Sequence, residues 1–452
     1  MVRRAGLEPA HPKRASGPKP GASTNFATFA GIDDCSAHKD VTAAPSQRAK
    51  LRTMNPHLQL LQPYPFEKLR QLLGAAKPQR TGLGLVDLSI GEPKHPAPEL
   101  AKVAITNAMA GLSGYPPTKG DLALRQSIAS WLGRRYRIDA PNPETEVLPV
   151  LGSREALFAF AQTVIDPTRS SLVVCPNPFY QIYEGAALLA GAKPYYVNAD
   201  PDRDFLSDWH SVPDEVWHQT QLLYVCTPGN PAGSVMPLSD WELLFNLADR
   251  YDFVIAADEC YSEIYQDEQA PPLGSLEAAV ALGRTDFARL VAFSSLSKRS
   301  NLPGLRSGFV AGHAELIEQF LLYRTYHGSA MSGLVTAASL AAWQDEQHVA
   351  QNRQAYRDKF DAVLPILSPV LELTRPQASF YLWVQTPYDD AQFTFDLLER
   401  QAVKVLPGSY VSRTAHGVNP GENRIRIALV APLDECVEGA RRIAAFAQSI
   451  KA

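Results

Sequence analysis

A lysine set among hydroxyls, with an arginine eight positions further on, is the most chemically pointed feature of the sequence: Ser294-Ser295-Leu296-Ser297-Lys298, then Leu305-Arg306. A primary amine forms an imine with a carbonyl compound. Hydroxyls and a guanidinium are donors suited to a phosphate dianion. A solvated Ser-rich loop would hold the same residues, so the string needs support from elsewhere in the chain. Two segments provide it. The apolar run Phe253 to Ala257 ends in Asp258-Glu259-Cys260-Tyr261, which sets a carboxylate at a strand end and a phenol three residues later. A buried aspartate keeps a heteroaromatic ring nitrogen protonated, as an electron-withdrawing ring requires. The run Leu222 to Thr227 leads into Pro228-Gly229-Asn230-Pro231-Ala232-Gly233, where Asn230 and Tyr261 can both donate to a ring oxygen. An Asn-Pro pair by itself is more often a turn.

Taken in order, Asn230-Pro231, Asp258 to Tyr261, Ser297-Lys298 and Arg306 resemble the fold-type I, aspartate-aminotransferase-like enzymes of classes I and II. The resemblance runs from about residue 55 to the C-terminus. It implies pyridoxal 5'-phosphate as cofactor, carried as a Schiff base on Lys298, with Ser295, Ser297 and Arg306 on its phosphate. Lys298 would then move the proton at the substrate α-carbon, and amino-group transfer between an amino acid and 2-oxoglutarate would follow ping-pong kinetics.

Further residues take roles by the same resemblance. Gly152-Ser153-Arg154-Glu155-Ala156 is similar to the family's phosphate turn, so Ser153 and Arg154 join the cofactor set. Its physical basis is the free amides of a helix N-terminus, although Ser153 also reads as an ordinary N-cap. In Pro176-Asn177-Pro178-Phe179-Tyr180 the ring stacked on the cofactor would be Tyr180. Substrate carboxylates call for the planar fork of arginine, and of Arg424 and Arg426, two apart on one strand face, the family position matches Arg426. Gly91, in Ser89-Ile90-Gly91-Glu92-Pro93, would let its backbone approach that carboxylate. Tyr115, opening Tyr115-Pro116-Pro117-Thr118-Lys119-Gly120, resembles the segment that reaches the neighbouring subunit's phosphate. A homodimer with shared active sites is implied. Thr336 stands where many relatives carry glutamine, which leaves the local helix packing open.

These residues need a scaffold. Seven apolar runs read as strands: 147–151, 171–175, 194–197, 222–227, 253–257, 290–294 and 308–311. Several are rich in Val, Ile and Phe and free of charge, as strands buried on both faces should be. Amphipathic helices fill the gaps, at 153–165, 178–190, 239–250 and 315–326. The expected fold is α/β, a mostly parallel seven-stranded sheet in a large domain, residues 111–344. Residues 54–110 form an arm and part of a smaller α+β domain, completed by residues 345–452 with a long helix at 346–364 and strands at 380–385 and 425–430. Residues 1–53 carry nine Lys or Arg against four Asp or Glu and five prolines, and read as a disordered basic extension ahead of Met54.

The net charge of −4 offers no basic excess for nucleic acid, and no apolar run approaches the roughly 20 residues that span a bilayer. Five scattered cysteines lack disulfide or metal-ligand spacing, which fits a cytoplasmic protein. Rival readings are a carbon–sulfur lyase on the same scaffold, or a regulator using the fold as a sensor. Residues 1–53 are too short and Pro-rich for the latter's winged-helix module. For the substrate, the strings Ser89 to His95, Gly328 to Ser332 and Gln377 to Tyr381 resemble a branch of the family that acts on N-succinyl-L,L-diaminopimelate in lysine biosynthesis. The alternative is an aspartate, alanine or aromatic amino-acid donor.

Overall fold

Eight strands make the central sheet of this computed structural model, which describes residues 54–76 and 82–450. The basic extension at 1–53 lies outside the described residues. Across the sheet the strands run Val147–Val150, Gly308–Gly312, Leu290–Ser295, Val254–Asp258, Thr220–Cys226, Leu172–Asn177, Lys193–Asp200 and Leu206–Ser207. The middle five, from Leu290–Ser295 to Lys193–Asp200, are mutually parallel. Gly308–Gly312 and the edge strand Leu206–Ser207 run antiparallel to their neighbours. All seven expected strands are present. The eighth, Leu206–Ser207, has two residues and therefore no alternating pattern to announce it.

The central strands are apolar because both faces are covered. On Leu290–Ser295, Leu290 and Ala292, followed by Leu296 just beyond the strand, join one core with Trp131, Trp241 and Trp343, while Val291 and Phe293 join another with Phe160, Tyr183 and Phe320. Burying each large side chain stabilises the fold by about 1.5–3 kcal/mol. Helices such as Ser153–Val164, Leu238–Tyr251 and Ala314–His327 supply those covering layers.

A second sheet, Tyr381–Gln385, Arg424–Ala428 and Leu406–Pro407, is antiparallel with Arg424–Ala428 in the middle. A short parallel pair, Val86–Asp87 with Val403–Lys404, shares the core of this second sheet through Val86 and Val403. The core here draws Val86 and Leu88 from one end of the chain and Phe360, Leu397, Ile425, Ile443 and Phe446 from the other. The long helix spans Gln347–Leu367 and continues past Pro365. Its last residue, Leu367, is fully buried in this core, which holds the final turn helical despite the proline.

Candidate active site

Parallel strands deliver their C-terminal ends to one edge of the sheet, where α/β proteins gather ligands. Here Asp258 and Ser295 end their strands, Asn230 follows Cys226 by four residues, and Lys298 follows Ser295 by three. They border a cavity of about 500 Å³ that also takes in Gly91, Ser153, Arg154, Tyr180, Tyr261, Ser297, Arg306 and Arg426. That volume suits a cofactor together with a small substrate.

Lys298 sits in the four-residue helix Leu296–Arg299, whose N-cap is Ser295, its hydroxyl accepting from the Ser297 amide at 3.1 Å. The lysine's Nζ donates to the carbonyl oxygen of Gly91 and lies 5.3 Å from the centre of the Phe380 ring. Burial, helped by the nearby Arg426 and Arg306 and opposed by Cys260 and Glu92, brings its pKa down to about 8. An amine so tuned is partly unprotonated near neutrality and can attack a carbonyl.

Asp258 is buried and accepts a hydrogen bond from the Tyr183 hydroxyl at 2.7 Å and one from the Cys260 amide at 3.3 Å. Burial pushes its carboxyl above the ordinary range, and those two donors work in the opposite direction. A cationic ring nitrogen in the cavity would restore the carboxylate. Arg426 lies on the central strand of the second sheet, opposite Trp383 and Leu406. Its guanidinium donates to Asn230 Oδ1 at 3.0 Å and to the Ser89 carbonyl at 3.1 Å, and rests 4.2 Å over the Tyr381 ring. Tyr381 in turn shares a 3.0 Å hydrogen bond with the Tyr261 hydroxyl. Any side chain at Gly91 would collide with that same Tyr381 hydroxyl, so this position accepts glycine alone.

At the other end, Gly152 caps the helix Ser153–Val164 with φ of 84°, and a Cβ there would run into the Arg306 guanidinium. Ser153 is thus the first helical residue rather than the N-cap, because glycine takes the left-handed turn. Its hydroxyl, freed from capping, accepts from the Cys260 thiol at 2.9 Å. The first amides of that helix have no intrahelical partners, and with Arg306, Ser295 and Ser297 they form a cup for an anion. Arg154 points elsewhere: it donates to the Tyr64 hydroxyl at 2.7 Å and lies 5.2 Å over that ring, at the cavity mouth. Tyr180 is in the cavity wall, whereas Phe179 is buried against Tyr196. Tyr115 is fully exposed and outside the cavity of its own chain.

Three participants went unnoticed in the sequence: Tyr183 beneath Asp258, Tyr381 between Arg426 and Tyr261, and Tyr64 at the mouth. Only Tyr381 had a signal, its place in the string Gln377 to Tyr381.

The cavity holds four cations, Arg154, Lys298, Arg306 and Arg426, against the carboxylates Glu92 and Asp258. None of the four forms an ion pair among the described residues, and the buried Nε of Arg426 lacks a hydrogen-bond partner. Guanidinium groups without carboxylate partners around one cavity call for anionic ligands, which a phosphate and a substrate carboxylate supply. The residues therefore fit pyridoxal phosphate. A mostly parallel sheet that presents an amine, a buried acid and an anion cup at one edge defines a fold-type I pyridoxal-phosphate enzyme.

The model of the aminotransferase class I and II family matches residues 84–443, and the chain belongs to that family. It is a pyridoxal-phosphate-dependent aminotransferase. An LL-diaminopimelate aminotransferase from Aquifex aeolicus is 31% identical over 394 residues, spanning 85% of this chain and 97% of its own. An aminotransferase of known structure from Neisseria meningitidis is 51% identical with a TM-score of 0.84, covering 87% of this chain and 100% of that one. A probable N-succinyldiaminopimelate aminotransferase from Thermus thermophilus is 27% identical with a TM-score of 0.75, over 84% and 99% of the two chains. Among the described residues no helix is long and apolar enough to cross a membrane.

Proposed function

We propose that the chain moves an amino group from N-succinyl-L,L-2,6-diaminopimelate to 2-oxoglutarate. Arg154 carries this reading, as a cation without a carboxylate partner at the mouth of a cavity whose interior already holds Arg426 for the α-carboxylate. Both substrates are acidic at their far ends, and a succinylated end has carboxylates but no ammonium group. A site for aromatic donors would be apolar at that mouth.

Pyridoxal phosphate, when bound, supplies the electron sink that makes the substrate Cα–H acidic. Arg426 orients the donor through its α-carboxylate, with Asn230 and the Ser89 carbonyl fixing the guanidinium. Lys298 Nζ accepts the proton from the donor α-carbon and is the group that would pass it on to the cofactor, since handing it back to the same carbon would only regenerate the donor. Asp258, held by Tyr183, provides the buried negative charge at the sheet edge. Ser153, Ser295, Ser297 and Arg306 bind phosphate, and Tyr180 covers the cavity wall. Tyr261 and Asn230 supply polar hydrogens at its centre. Tyr115, exposed on a segment with Met109 and Leu112, reaches the phosphate site of a second copy in a homodimer.

A second reading is unmodified L,L-diaminopimelate as donor. Glu92 lines the same cavity as Arg154, and an acid beside a base suits a far end with both ammonium and carboxylate. The relative from Aquifex aeolicus bears that substrate in its name. Measuring kcat/KM with 2-oxoglutarate for the succinylated and free diaminopimelates, aspartate, alanine and phenylalanine separates the readings. An aspartate or phenylalanine value tenfold above both diaminopimelates, about 1.4 kcal/mol in transition-state preference, overturns the diacid assignment.

A further inference from the structure

Four consecutive residues around the reactive amine are gripped by one short stretch at the start of the long helix. Arg299 donates to Glu346 at 2.5 Å, and Ser300 meets His348 at 2.8 Å, which in turn meets Asp345 at 2.6 Å. Asn301 donates to the side-chain oxygen of Asn352 at 2.8 Å. Asn352 itself uses its amide nitrogen on the backbone carbonyls of Lys298, at 3.1 Å, and Arg299, at 3.3 Å.

Asn352 also closes a ring. Its Oδ1 is 2.8 Å from His95 Nδ1, and His95 belongs to the segment that begins at Gly91. Gly91, at the other end of that segment, accepts from Lys298 Nζ. The lysine is thus held twice by connected structure, once at its backbone and once at its amine. His95 Nε2 meets Lys359 Nζ at 2.6 Å, and Lys359 is a buried lysine that also donates to the Val430 carbonyl at 3.3 Å.

We propose that Asn352 is a positioning residue for Lys298, and that Lys359 and His95 set the direction in which Asn352 works. An ammonium group has hydrogens to give and no lone pair. Lys359 therefore donates to His95 Nε2, which places the imidazole hydrogen on Nδ1. That hydrogen goes to Asn352 Oδ1, and the amide nitrogen is left to face the two carbonyls. The reverse orientation of Asn352 would set its oxygen against both carbonyls and its nitrogen against two donors. Burial and the neighbouring Lys359 lower the His95 pKa, the Asn352 bond opposing them, which is consistent with a neutral ring.

The inference rests on Lys298 being the reactive amine, which borohydride reduction of the wild-type holoenzyme followed by peptide mapping tests separately. Asn352→Asp retains the acceptor for His95 and Asn301 but turns a carboxylate oxygen toward the Lys298 and Arg299 carbonyls. The expected result is a kcat lower by fivefold or more, and a shift of at least half a pH unit in the midpoint of the holoenzyme's pH-dependent colour change. The melting temperature is expected to stay within about 5 °C. His95→Phe keeps the ring packing on Tyr356, at 4.6 Å between centroids, and removes both nitrogens. It should move kcat and the midpoint in the same direction by smaller amounts, and it decides the matter if Asn352→Asp does not fold. Both readouts at wild-type values in the folded variants, with kcat within twofold and the midpoint within 0.2 unit, would overturn the role. A wild-type label on another lysine would instead remove the premise.

Discussion

The Tyr183 hydroxyl donates to Asp258 Oδ2 at 2.7 Å, joining a residue of the helix Ile182–Leu189 to the end of a strand 75 positions later. Tyr183 is itself stacked on Tyr224, at 4.6 Å, so the donor is fixed before any ligand arrives. The acid at the sheet edge is thereby oriented into the cavity rather than left to choose among partners.

Replacing Asp258 by Asn should leave a folded protein that retains some cofactor and loses most of its transamination. Removing a charge that faces a positive ring costs on the order of 2–4 kcal/mol in the transition state, or roughly a hundredfold or more in rate. Near-native turnover in a well-folded variant would dismiss the role. Tyr183→Phe, which keeps the stacking, should fall between the variant and the wild type.

Lys298→Ala should abolish the covalent link and with it the yellow colour of the purified protein. Reduction with borohydride should attach the pyridoxyl group to Lys298 in the wild type. Finding it on any other lysine would refute the site.

The lowered pKa of Lys298 has a sign that can be read in the rate at which the cofactor-free protein takes up pyridoxal phosphate. The neutral amine is the nucleophile, and burial moves its appearance from the ordinary lysine range, near 10.5, to about 8. Uptake should therefore be slow at pH 6.5, rise through pH 8 and level off above pH 9. A rise continuing toward pH 10.5 would mean that the amine is not buried as described.

Tyr115 offers a test of the shared site. Subunits carrying a bulky substitution at Tyr115 are to be mixed with Lys298→Ala subunits, each variant being inactive by itself. One of the two sites in a mixed dimer then contains neither lesion, and partial activity should return. Verified mixed dimers with none would argue against sharing.

How far the site could be read from the chain depends on how its residues are connected. Lys298, Asp258, Asn230 and Arg426 sit on or just beyond strands, within short strings whose order along the chain is itself a pattern. The apolar, charge-free strands were legible for a related reason, since burial on both faces leaves a mark on every residue. Tyr183 and Asn352 meet partners 75 and 257 positions away and look locally like ordinary helix residues, while Tyr381 and His95 stand inside strings read for their resemblance, which carry no sign of the residues they meet. The edge strand Leu206–Ser207 was missed because two residues cannot display a period, and of the two readings open for Ser153 the N-cap fails because Gly152 takes that position.

The division of the cavity between its floor and its mouth bears on how such an enzyme can diversify. Asp258, Tyr261, Ser295 and Arg426 are deeply buried and each is held by a hydrogen bond to a neighbour, whereas Ile90, Glu92 and Arg154 at the opening are exposed. A mutation in the floor disturbs turnover for every donor at once, but one at the rim changes which donor fits while leaving the reacting end untouched. Descendants of this chain could therefore acquire new amino donors by drift at a few rim positions, and a laboratory library confined to Tyr64, Ile90, Glu92, Arg154 and Gln181 should yield altered substrate preference with little loss of folded protein.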